Sequence, residues 1–230
     1  MRFFKFINEE TADLDDMNRV ANIIKKDCSK FLKETGNIPI YRGMKGLDVG
    51  PLKIKSVKER KPLNTPGKIH DLLNRLFNKR FKWSVRNGVF VSGNIKDAKF
   101  YGLDYRFFPI GDYDYVWSPV VQDLFGYNEK FGISALDFES LKNIYLYPKT
   151  CDTSGWFLHN YVKEYPEASN RELIEMCKNK LVRFYEDLIS TYKNNNLQEG
   201  IKSGMEISFN CKEYYLVGYH EWKEFINALN

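Results

Sequence analysis

The chain is expected to fold as α+β, a mixed and largely antiparallel sheet with helices packed on it. Three observations predict this. Two long segments, Asp13 to Glu34 and Ser169 to Lys193, repeat apolar residues at steps of three and four, as amphipathic helices do. Near the C-terminus Met205, Ile207 and Phe209 alternate with Glu206, Ser208 and Asn210, the period of a strand with one buried face. Two short aromatic runs, Tyr105 to Ile110 and Tyr113 to Val116, flank Gly111-Asp112 and read as a hairpin. No linker rich in Gly, Ser or Pro divides the 230 residues, so one domain is expected, with a helical segment over 1–36 packed on a core over 37–230.

In chain order, Met17, Ala21, Ile24, Cys28 and Phe31 form the buried stripe of the first helix, capped by Thr11 or Asp13 and stopped by Gly36. Ile38 to Gly43 is a short strand that starts beside a proline and breaks at a glycine. Arg42 shares the parity of Ile38 and Ile40, which calls for a partner anion or an exit from the sheet. Pro66-Gly67 opens a helix from Lys68 to Arg80 with Leu72, Leu73, Leu76 and Phe77 inward. Val89 to Ser92 is a strand, and Asn94 caps a short helix that ends at Gly102. Asn143 to Tyr147 is a further strand, closed by Pro148. Ser169 or Asn170, with Glu172, caps the second long helix. Asn194 to Gly200 is read as a polar loop delivering the chain to Gly204 and Glu206.

Composition excludes several classes. At 43% hydrophobic and 28% charged the chain reads as a soluble globular protein, and 16% aromatic content supplies large core or pocket side chains. The apolar run at the N-terminus is too short for a signal peptide or a membrane span, so a cytoplasmic location, the host cytoplasm for a phage-encoded chain, and no membrane contact are expected. Cys28, Cys151, Cys177 and Cys211 lack paired spacing, and His70, His159 and His220 lack the helical pairing of a metal site. Asp112, Asp114 and Asp123 do not match a calcium loop, so no metal is expected. The net charge of +5 is uneven: residues 1–100 hold 22 Lys and Arg against 11 Asp and Glu. Much of that excess lies in Lys53 to Arg86, a block suited to phosphates or acidic surfaces, though any one of its cations also serves as a solvated helix face. Neither a P-loop, a dinucleotide-binding Gly-x-Gly-x-x-Gly nor a serine nucleophile elbow is present.

An ordered set remains: Tyr41-Arg42-Gly43, then Val89-Phe90-Val91-Ser92-Gly93-Asn94, then Glu206-Ile207-Ser208-Phe209 closing into Tyr214 to Val217. From Ile38 to Val217 this resembles the Arg-Ser-Glu class of bacterial and phage mono-ADP-ribosyltransferases. The resemblance implies a split sheet with an NAD cleft between the Arg42 and Glu206 strands. It assigns Arg42 to an NAD phosphate, the Gly43 backbone to the nicotinamide amide, Ser92 to support of the site and Glu206 to the chemistry. The stretch Asn194 to Met205 would be the target-recognition loop, and the partner a protein or nucleic acid.

These residue types suit that reaction. Breaking the nicotinamide–ribose bond builds positive charge on the ribose, which a carboxylate such as Glu206 stabilises. A diphosphate suits the fixed donor fork of Arg42. A small hydroxyl at Ser92 holds a carboxylate without filling the pocket. Tyr101 or Phe108 would stack on nicotinamide, their alternative being ordinary core packing. Two departures stand out: Gly204 replaces the acidic or amide residue two positions before the catalytic Glu, and only the first residue of the serine motif survives in Ser92-Gly93-Asn94. The alternatives are an NAD glycohydrolase, a non-catalytic nucleic-acid or acidic-protein binding module using Lys53 to Arg86, or a structural protein that keeps the fold without activity.

Overall fold

A computed structural model of the chain describes residues 17–45, 51–60, 65, 67–124, 167–218 and 222–229. The expected caps at Thr11 and Asp13 and the expected strand Asn143 to Tyr147 lie outside these residues. Seven helices are described: α1 Met17–Asp27, α2 Ser29–Thr35, α3 Gly67–Phe81, α4 Ile95–Phe100, α5 Asn170–Ser190, α6 Leu197–Ser203 and α7 Trp222–Leu229. The strands are β1 Tyr41–Met44, β2 Leu52–Lys55, β3 Val89–Ser92, β4 Leu103–Pro109, β5 Tyr113–Trp117, β6 Glu206–Cys211 and β7 Glu213–Gly218. They form one sheet in the order β2-β7-β4-β1-β3-β6-β5, and every pairing is antiparallel. The chain divides into two compact units. One is built from residues 1–59, 87–119 and 193–230 and holds the whole sheet; the other, from 60–86 and 120–192, holds α3 and α5.

In the sheet unit, β1 and β3 are laddered at a single pair, Tyr41 opposite Ser92, and no further register joins them. The sheet then bends back on itself. β4 and β6 stand three strand spacings apart, about 14 Å in a flat sheet, yet the rings of Phe107 and Phe209 lie 5.2 Å apart. Phe107 also meets Tyr214 at 5.1 Å, and Phe31 from α2 stands edge-on to Phe107, Tyr113 and Phe209. This aromatic cluster is the core between the two halves of the sheet. Opposite it, Phe108 packs on Phe225 of α7 at 5.5 Å, and Tyr215 donates its hydroxyl to Asp27 of α1.

The first helical stripe is interrupted at Cys28, whose thiol reaches the Phe108 carbonyl, and α2 carries on from there to its stop at Gly36. The expected hairpin of β4 and β5 is not formed. β4 lies between β1 and β7 while β5 pairs β6 at the far edge, so Gly111-Asp112 turns the chain from one half of the sheet to the other. Gly111 donates its N–H to the Asp27 carbonyl and Asp112 pairs with Lys30, which ties that turn to the first helices.

The helical unit is held by α3 against α5, with Phe77 edge-on to Tyr192 at 4.9 Å and Arg80 donating to the Tyr192 carbonyl. Ser169 and Glu172 close the expected capping box.

Trp117, fully buried on β5, organises the approach to β6. Its backbone bridges Lys193 and its indole N–H donates to the Asn195 carbonyl. The segment expected as a loop then winds into α6. A Cβ at Gly200 would sit 2.9 Å from the Trp117 ring, so that helix turn has room for glycine alone. Gly200→Ala, normally favourable in a helix by about 1 kcal/mol, is therefore expected to destabilise the chain by about 1–3 kcal/mol in denaturant titrations. A stabilised variant would refute this packing. Burial pushes the Cys28 thiol up to about 12 and raises the Tyr113, Tyr115 and Tyr215 phenols. All four groups ionise more readily once unfolded, so their contribution is complete below the unfolded thiol value and is lost as pH rises through the folded ones. Thermal melts are expected to show stability falling steadily above pH 9, the ordinary thiol value.

Candidate functional site

Glu206 opens β6 directly opposite Ser92, the last residue of β3, and Ser92 stands opposite Tyr41 on β1. Tyr41 in turn faces Arg106 on β4 and shares a side-chain hydrogen bond with it. Cross-strand partners project to the same face, so Glu206, Ser92, Tyr41 and Arg106 form a row across four strands. Arg42, one residue from Tyr41, projects to the other face with its partner Tyr105. Its Nη1 donates to the Phe90 carbonyl at 3.2 Å and its guanidinium lies over the Tyr214 ring at 5.5 Å. Nε of Arg42 is buried and finds no hydrogen-bond partner among the described residues. Arg42 thus spans the gap where β1 and β3 part, and its fork is not aimed alongside Ser92 and Glu206 as a shared anion site would need. The cation in register with them is Arg106, whose pKa burial lowers while Tyr41 partly opposes the shift. Sequence reasoning passed over Arg106 because it stands inside an aromatic strand.

Ser92 is a buried hub rather than a hydroxyl resting on Glu206. Its Oγ lies 3.0 Å from Asp97 Oδ2 and 3.1 Å from the Gly204 carbonyl, two alternative acceptors for its one proton, and accepts the Asn94 N–H at 3.0 Å. Asn94 caps α4 by accepting the Lys96 N–H, and its Nδ2 donates to Asp97. Asp97 is the site residue that the sequence reading lacked. The signal was present: an Asn cap followed three residues later by an acid is a capping-box pattern. Gly204 sits at φ 71 as the left-handed C-cap of α6, a conformation that favours glycine over a side-chain-bearing acid. Ser92 therefore pins the turn two residues before Glu206, and it does so through the Gly204 backbone.

Gly43 lies under α4, where a Cβ would meet the Ala98 carbonyl oxygen at 1.9 Å, so glycine is required there for close helix approach. Tyr101 closes α4 beside Gly43 and is half-exposed. Phe108 is a correction to the sequence reading: it is 5% exposed between Phe31 and Phe225, with no ring face open to nicotinamide. The depression lined by Phe31, Ile38, Arg106 and Phe107 holds about 10 Å³, room for one water at most.

The basic block is divided between the two units. Lys53 pairs with Glu213 and Lys79 with Glu186, while Lys55, Lys58, Arg75 and Lys82 are exposed. Among the described residues there is no cluster able to hold a metal ion and no helix long and apolar enough to cross a membrane.

Ser92→Ala removes the hydroxyl that donates to Asp97 or to the Gly204 carbonyl and accepts the Asn94 N–H. It is expected to cost about 1–3 kcal/mol of unfolding free energy, read from urea midpoints; a change below about 0.5 kcal/mol, the range of an ordinary surface substitution, would refute the hub.

No protein-family model, curated protein or solved structure matches this chain.

Proposed function

We propose that the protein cleaves NAD at the nicotinamide–ribose bond and transfers ADP-ribose to a macromolecular acceptor, with Glu206 at the reacting centre. One observation carries the reading: Glu206 and Ser92 are opposed at adjacent strand ends, next to the place where β1 and β3 separate. The Arg-Ser-Glu resemblance calls for a cleft between the Arg42 and Glu206 strands; the Ser92 strand lies between those two, so the three residues stand on three consecutive strands. In the reaction the C1′–N bond breaks and nicotinamide leaves with the electron pair as the neutral amide. An acceptor nucleophile then bonds to C1′ and gives up a proton. Glu206 accepts a hydrogen bond from a ribose hydroxyl and faces the positive charge that develops on the sugar.

The remaining residues take modified roles in this reading. Ser92 positions Glu206 by fixing the Gly204 turn. Arg42 acts as a clamp across the β1/β3 gap. Phe108, buried between Phe31 and Phe225, is withdrawn from the role of stacking on nicotinamide.

Release of free nicotinamide from NAD by the full chain is the test. Glu206→Gln, nearly isosteric and half-buried, is expected to keep the wild-type melting temperature and lose at least about 100-fold in release rate. Arg42→Ala is expected to lower both the rate and the melting temperature, because it removes a strand clamp. A wild-type chain that releases no nicotinamide with protein and nucleic-acid acceptors present, or a Glu206→Gln variant as fast as wild type, would overturn the proposal.

A further inference from the structure

Among the described residues, three of the five exposed large apolar side chains fall within four positions: Phe100 is 83% exposed, Tyr101 48% and Leu103 44%. Phe100 and Tyr101 are edge-to-face at 5.3 Å, an arrangement that leaves aromatic faces toward solvent. Single exposed apolar residues are ordinary, but a contiguous group of them marks an interaction surface. Lys96, Lys99 and Phe100 share one stripe of α4, opposite Ala98, which packs on Gly43. Lys45 flanks the group, since a Cβ built on Gly102 would meet the Met44 carbonyl and the Lys45 backbone nitrogen. Lys45, Lys96 and Lys99 are exposed. Among the described residues of α4 and its flanks, Asp97 is bound to Ser92 and Asp104 is buried.

We infer that this tip of α4 docks single-stranded nucleic acid, its bases stacking on Phe100 and Tyr101 and its phosphates meeting Lys45, Lys96 and Lys99. Rings bordered by cations of one sign match a ligand that carries flat bases on an anionic backbone. An acidic peptide offers charge without ring faces. A lipid surface calls for a longer amphipathic helix than the six residues of α4. The tip is about 4.5 Å along the helix axis from Asp97, three residues away, so a docked strand lies one short helix from Ser92 and Glu206. The inference deepens the proposed function by naming the class of acceptor, and rests on that reading only for the word acceptor.

The test is fluorescence anisotropy of a labelled twelve-nucleotide oligo(dT) and the matching oligo(U) with the full chain, across a range of salt. Binding that weakens with salt is expected, with Phe100→Ala/Tyr101→Ala at least about tenfold weaker at an unchanged melting temperature. Lys45→Ala and Lys96→Ala are each expected to reduce the slope of log affinity against log salt by about 0.7. No binding of either oligonucleotide at low salt, equal binding by the aromatic double variant, or binding to phosphatidylserine vesicles in its place would overturn the inference. Nicotinamide release is a separate readout. A chain that binds oligonucleotide without releasing nicotinamide refutes the transferase reading and keeps this one, and the reverse result does the opposite.

Discussion

The sheet unit depends on one side chain standing in for a β-ladder. β1 and β3 are paired at Tyr41 and Ser92 alone, and beyond that pair the guanidinium of Arg42 reaches the Phe90 carbonyl. That contact ties the β3 backbone to β1 where the ladder stops and the two strands part. That separation allows the sheet to bend and bring Phe107 and Tyr214 from one half toward Phe209 from the other. A lysine, with a single ammonium and no planar face, would not combine a carbonyl contact with stacking over Tyr214.

Order at the candidate centre is transmitted through backbone. Ser92 ties three pieces of chain together: the end of β3, the first turn of α4 through Asn94 and Asp97, and the end of α6 through Gly204. Trp117 anchors the other end of the same segment at Lys193 and Asn195. Glu206 follows directly, and its position is thereby set by two buried anchors rather than by a carboxylate neighbour at residue 204. Arg106, Tyr41 and Ser92 extend in register from it on the same face of the sheet.

How much of this was legible differs by the range of the interaction. The amphipathic stripe over Ala21, Ile24, Cys28 and Phe31, the capping box at Ser169, the Asn94 cap and the alternation of Ile207 and Phe209 are local and were readable from spacing alone. The Gly111-Asp112 turn was readable as a turn but not as a crossing between halves of the sheet, because turn chemistry sets a bend and leaves the pairing of the flanking strands open. The polar composition of Asn194 to Gly200 concealed α6, whose helical state rests on Leu197 and Ile201 being buried and Gly200 lying against Trp117.

The sequence by itself determined the long amphipathic helices, the alternation that separates Glu206 from its buried neighbours, and the order Arg42, Ser92, Glu206 along the chain. Tertiary structure alone decided which face each residue occupies. A strand has period two, so a pairing shifted by one residue moves a side chain to the opposite side of the sheet. Register set Tyr41 and Arg106 beside Ser92 and turned Arg42 away, and helix packing closed over Phe108 while leaving Phe100 and Tyr101 in solvent. Those outcomes follow from contacts between segments far apart in the chain, which no local spacing records.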